Sequence, residues 1–190
     1  MTTPEARPAE SPPEASTPEA RFANHLHWLA QSATAGEGAS RARLARLRTA
    51  VGRRGVAPLA YREIGDALTG VPSDERDAYL TVASLFAVHA AKSDRPWLIA
   101  RGASLGASCR QARRDGSVSM DLRFAALLDA RREDLPYRLR QVVALLAAHD
   151  VGVRYDVLLG DILRWTEPGR EVQRRWAESY WAPAVRPTTS

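Results

Sequence analysis

A chain of 190 residues and 20.9 kDa, 45% apolar and 26% charged, has the balance of one or at most two soluble globular domains. No stretch approaches the ~18 consecutive apolar residues of a membrane span, and no basic-then-apolar leader opens the chain, so a cytoplasmic protein without a membrane partner is expected. The lone Cys109 can form neither an internal disulfide nor a cysteine-based metal site. The net charge of +5 is unevenly placed: residues 1–20 carry −3, and the remaining 170 carry 26 basic against 18 acidic residues. Arginine outnumbers lysine 26 to 1. The codon usage of a GC-rich genome would by itself produce such a ratio, so the placement of the arginines is the informative part.

Residues 1–17 are rich in Pro, Glu, Ala, Ser and Thr, with no large apolar side chain beyond Met1. Such a segment buries too little surface to offset its ordering entropy and is expected to be a disordered extension. A single all-α domain is expected over 18–182, a compact bundle of about eight helices, followed by a flexible tail at 183–190. Thr17 before Pro18 predicts an N-cap and a first-turn proline for a helix to about Ala33, with Phe22, Leu26 and Leu29 on its apolar face. After TAGEG, a second helix from about Ser40 carries Leu44, Leu47 and Val51 as a narrow stripe, ended by Gly52 and Gly55.

A short helix at Ala57–Leu68 follows, closed by Thr69-Gly70. Ser73, Asp74 and Glu75 predict the cap of the next helix, whose body from Tyr79 to Ala91 is apolar nearly all round and therefore central. Beyond GASLGASCRQARR, a cap near Ser117 opens a helix with Met120, Phe124, Leu127 and Leu128. Asp134 and Pro136 start another, broken by Gly152. Helices at Tyr155–Trp165 and Glu167–Trp181 complete the domain, with no solenoid repeat.

Two windows hold arginine and no acid: Gly38 to Arg62, with Arg41, Arg43, Arg46, Arg48, Arg53, Arg54 and Arg62, and Arg95 to Arg114, with Arg95, Arg101, Arg110, Arg113 and Arg114. Like charges facing one another on a helix cost about 0.2–0.5 kcal/mol per pair unless neutralised. The windows read either as a face solvated or paired with acids elsewhere in the fold, or as a polyanion-binding surface.

Other constellations carry less. His25 and His27 lie about 200° apart around a helix and cannot share an ion. His89, inside the apolar helix, reads as a hydrogen-bonded core residue. The His149-Asp150 dipeptide, with Asp156 and Asp161 downstream, is a two-letter match to the metal phosphohydrolases. GASLGAS lacks the GK[ST] ending of a nucleotide loop; its small residues suit a close helix approach or a helix N-terminus freed for one phosphate. Cys109, beside Arg110, reads as a buried filler rather than a slightly activated thiol. Trp165, Trp176 and Trp181 offer rings for base stacking, but Val172, Trp176 and Tyr180 form a stripe at i, i+4 and i+8 that favours core packing, with Glu171 and Arg175 placed to pair on the solvent side. No nucleophile arrangement or paired carboxylates stand out, so no catalytic residue, cofactor, metal or small-molecule substrate is expected.

The C-terminal half carries a family resemblance. RREDLPYRLRQVVALLAAH at 131–149, YDVLLGDILRW at 155–165 and VQRRWAESYW at 172–181 resemble the CasB family, the small helical subunit of the type I-E CRISPR surveillance complex, Cascade. GASLGASCRQARR at 102–114 and FAALL at 124–128 are similar to its preceding motifs, and the likeness extends back to Phe22. The resemblance implies a non-catalytic nucleic-acid-binding subunit in antiviral defence, present as two copies among other Cascade subunits, that helps hold the guide RNA–target DNA hybrid and the displaced strand through phosphate contacts. It places basic contact positions at Arg131 and Arg140, at Arg110 and Arg113, and at Arg138; Arg43, Arg46, Arg53 and Arg54 match as a basic helix near the N-terminus. The acidic extension departs from the family's compact start. A stand-alone helical DNA-binding regulator is the alternative, with residues 38–68 as its helix-turn-helix, although Asn and Gln for base reading are nearly absent there.

Overall fold

The computed structural model describes residues 17–49, 58–92, 102–113 and 118–182. The expected extension before Thr17, the tail from 183, the middle of the first arginine window with Arg53 and Arg54, Arg95, Arg101 and Arg114 of the second, Val51, the terminator glycines Gly52 and Gly55 and the cap near Ser117 lie outside these residues.

The first helix, α1 (Pro18–Thr34), starts as the sequence predicts: the Thr17 hydroxyl accepts a hydrogen bond from the Ala20 amide at 3.2 Å, with Pro18 in the first turn. Its Phe22, Leu26 and Leu29 are buried. Next come α2 (Gly38–Arg48), α3 (Pro58–Ile64) and a single 3-10 turn at Asp66–Leu68. The Ala57–Leu68 segment is thus two pieces rather than one helix.

The fourth helix, α4 (Arg76–Ala90), is the axis of the domain. Everything from Ala78 to His89 except Thr81 is buried, because α1, α2, α3 and two later helices, Leu135–Ala148 and Tyr155–Leu163, surround it. Its predicted cap at Ser73 is displaced: the cap position is Glu75, with no side-chain bond, and Ser73 to Glu75 form a turn ahead of it.

Helix α5 (Leu105–Ala112) brings the α-helices among the described residues to nine. The periodic reading does not count it, since GASLGAS is poor in large apolar residues. It packs closely on the last helix, α9 (Glu171–Trp181). A Cβ on Gly106 would stand well under 3.0 Å from both the Trp176 carbonyl oxygen and the Ser179 hydroxyl, so only glycine admits this approach. Gly102 meets the Gly152 backbone in the same way, beside a lone parallel bridge between Ala103 and Val153. The close-approach reading of the small residues therefore holds. Gly152 does not itself end the preceding helix; it serves this contact.

Between these elements lie α6 (Val118–Leu128), α7 (Leu135–Ala148) and α8 (Tyr155–Leu163). The last two helices are shorter than the sequence predicts. Pro168 stands in the turn, and Gly169 and Arg170 take left-handed backbone (φ +89° and +55°), so α9 begins at Glu171 rather than Glu167. One continuous apolar core results, in which Trp176, Tyr180, Phe124, Phe22 and Phe86 are buried.

Candidate nucleic-acid interface

The first arginine window is not left uncompensated. Glu63, one residue beyond it on α3, is buried (5% exposed) and accepts Arg46 through both carboxylate oxygens, at 2.5 and 3.2 Å. Arg43 reaches the same carboxylate at 3.4 Å and donates to the Glu63 carbonyl at 2.5 Å. The Arg46 hydrogen bond holds the Glu63 carboxyl below its ordinary range. Of the two readings of this window, pairing with an acid elsewhere in the fold is realised for Arg43 and Arg46, because chain folding brings α3 against α2. Both arginines are tied to this centre yet keep 29% and 42% of their side chains accessible. His25 of α1 lies near the same group, and burial together with the Arg43 charge lowers its imidazole below the ordinary range.

The end of α2 joins α7. Arg140 donates to the Arg48 carbonyl at 3.2 Å, fixing the basic face of α7 beside the exposed Arg48. Arg138 rests over the Tyr137 ring, 5.8 Å from its centroid. Arg131, in the turn leading into α7, is exposed and makes no ion pair among the described residues, while its carbonyl accepts from the Asp134 and Leu135 amides. Arg131 thus stands just ahead of α7, while Arg138 and Arg140, two residues apart and so about 200° around the helix, border its exposed side from opposite edges. Arg53 and Arg54 lie outside the described residues.

Arg110, on α5, and Arg113, the residue that caps it, belong to a second group beside α6 and the end of α9. Arg110 is exposed and donates to the Ala182 carbonyl at 3.4 Å. Arg113 pairs with Asp121 of α6 at 3.1 Å and stands 5.7 Å over the Tyr180 ring, whose hydroxyl also donates to Asp121. Neither window is thus a bare row of charges. Each mixes arginines engaged by an acid with arginines facing solvent.

The expected pair of Glu171 with Arg175 is also revised. Glu171 pairs with Arg174, whereas Arg175 reaches Asp161, which is fully buried and accepts the Trp176 indole N–H at 2.7 Å. Of the phosphohydrolase candidates, Asp156 is bound to Arg154 and Asp161 to Arg175 and Trp176, whereas His149 and Asp150 are exposed just past the end of α7. Among the described residues no three His, Cys, Asp or Glu side chains stand together as metal ligands, and no helix is long and apolar enough to cross a membrane. Cys109 is buried, which pushes its thiol far above the ordinary range.

Comparison with known proteins decides the family. Residues 43–181, the span containing α7 and most of both arginine groups, match the CRISPR-associated protein Cse2 family. The chain belongs to the Cse2 family. The CRISPR-associated protein Cse2 of Thermus thermophilus is 38% identical over 108 residues, 57% of this chain and 58% of that relative. The chain thus spans somewhat over half the length of that curated relative. The crystal structure of CasB from Thermus thermophilus superposes with a TM-score of 0.69 at 31% identity, covering 87% of this chain and 99% of that one. A chain of a CRISPR RNA-guided surveillance complex shares the fold, with a TM-score of 0.64 at 23% identity over 84% of this chain and 91% of its own. The Cse2 match begins at Arg43, so α1 lies ahead of the matched span. Sequence reasoning singled out the arginines but passed over two groups that the structure sets beside them: Glu63, just past an acid-free window, and Tyr137, inside the DLPYRLR motif.

Proposed function

We propose that this Cse2 chain is a cytoplasmic, non-catalytic subunit of a type I-E CRISPR surveillance complex, holding the guide RNA–target DNA hybrid and the displaced strand through phosphate contacts. The observation that carries this reading is the group Arg131, Arg138 and Arg140 at the start of α7, secured against the end of α2 by the bond from Arg140 to the Arg48 carbonyl. Clustered guanidinium groups release phosphate counterions on binding, and such contacts are insensitive to base sequence. Duplex opening on a guide is close to balanced, so backbone contacts from a subunit of this kind suffice to tip it. Family membership supports the other partners of this reading: further Cascade subunits and a second copy of the chain. Arg110, Arg113, Arg43 and Arg46 are the further contact positions in this proposal, together with Arg53 and Arg54 from the sequence reading. Membership in Cse2 disfavours the stand-alone regulator, whose helix-turn-helix would have to be built from residues 38–68.

The test is charge reversal of Arg131→Glu and Arg140→Glu in the reconstituted complex. Retention of target DNA should fall while the circular dichroism of the subunit stays unchanged. The magnitude of the slope of log affinity against log salt should drop by about 0.7–0.9 for each phosphate no longer neutralised. Full retention by a folded double variant would overturn the assignment of this surface.

A further inference from the structure

Tyr137 is an exposed aromatic set among cations. It sits in the first turn of α7, 55% exposed, although large aromatic side chains are otherwise mostly buried in this fold. The guanidinium of Arg138 lies over its ring at 5.8 Å, an arrangement that orients the ring and places a positive charge against it. Arg140 and Gln141 stand three and four residues further along, on the same helical face. Arg140 also ties this face to the exposed Arg48 at the end of α2. Glu133 and Asp134 precede the helix, exposed, and no ion pair among the described residues joins them to Arg131, Arg138 or Arg140.

A surface meant only for duplex phosphates gains nothing from an open phenol ring, since paired bases are already stacked on their neighbours. An unpaired base has a free face, and surfaces that hold single strands combine a basic track with aromatic rings on which bases stack. We infer that Tyr137, oriented by Arg138 and flanked by Arg140, is a base-stacking platform that directs the α7 face toward an unpaired nucleic-acid strand rather than a duplex. This inference rests on the nucleic-acid-binding reading above and adds to its phosphate contacts the residue on which an unpaired base stacks. The phenol hydroxyl has no part in the stack, so phenylalanine should serve as well as tyrosine.

Binding of the full chain to a fluorescent oligothymidylate is compared with binding to an abasic backbone of the same length and charge. The wild type should prefer the base-bearing strand by about fivefold or more, the effect of one stacked base. Tyr137→Ala should abolish the preference without changing affinity for the abasic strand, and Tyr137→Phe should keep it. Truncating a half-exposed side chain leaves the core intact, which circular dichroism verifies. Equal affinity of the wild type for both strands overturns the stacking platform and leaves the arginine surface standing. Binding to neither strand overturns both readings. If Tyr137→Ala leaves the strand preference intact but weakens assembly with the other subunits, Tyr137 is a protein contact and the inference fails.

Discussion

At the scale of single residues, the most constrained position is one that has no side chain. Any Cβ at Gly106 would overlap the Trp176 carbonyl, which belongs to a helix backbone and cannot swing aside. Gly106→Ala should push α5 off α9 and cost about 1–3 kcal/mol in urea unfolding, as overpacking does. Gly38→Ala, where nothing lies within 4 Å, should be neutral or slightly stabilising. His89 is constrained for another reason. It is 1% exposed, its ring is hydrogen-bonded to the Tyr155 hydroxyl at 2.9 Å, and burial lowers its pKa to about 4. The unfolded chain, with a value near 6.5, then binds more protons than the folded one as pH drops from 6.5 to 4. Stability from this residue is complete above pH 6.5 and is lost as pH falls through that window. Between about pH 7.5 and pH 5 the loss should be about 2 kcal/mol in denaturant melts, and His89→Gln should flatten that dependence.

At the scale of elements, α2 illustrates how little a helix's own sequence says about its charges. Six of its residues are Arg or Leu in alternating clusters, and the acid that pairs with Arg43 and Arg46, Glu63, comes from the neighbouring helix. Glu63→Gln should lower the thermal midpoint by a few degrees and leave Arg43 and Arg46 freer. Because the Arg46 bond depresses the Glu63 carboxyl, its contribution is in place above pH 4.5 and lost as pH falls through the lowered value; the variant should lack that acid-limb loss. The α5–α9 pair has a comparable dependence on distant partners. The stripe Val172, Trp176 and Tyr180 was legible from its spacing, and all three are buried. The destination of Arg175 was not legible, because Asp161 lies on α8 and meets it only when α8 and α9 fold together. Helix existence was readable throughout α1, α4, α6 and α7. Helix α5 escaped because its burial comes from glycine, alanine and serine packed against a backbone, and such residues leave no apolar period.

At the scale of the whole molecule, the basic excess divides into arginines held by acids and arginines with no carboxylate partner among the described residues. Arg43, Arg46 and Arg113 have carboxylate partners, whereas Arg131, Arg138 and Arg140 have none among the described residues. Nucleic-acid affinity should accordingly depend on salt less steeply than the count of 27 basic residues would suggest.

The sequence by itself determined the all-α class, the central place of α4, the buried faces of most helices and the family. These follow from periodicity, capping residues and ordered motifs, all of which act between residues close in the chain. Only the tertiary structure decided which arginines are neutralised, why Gly102 and Gly106 must be glycine, and that Tyr137 stands open among guanidinium groups. Charge pairing, steric fit and exposure depend on distances between residues far apart in sequence, and those distances exist only once the helices have packed.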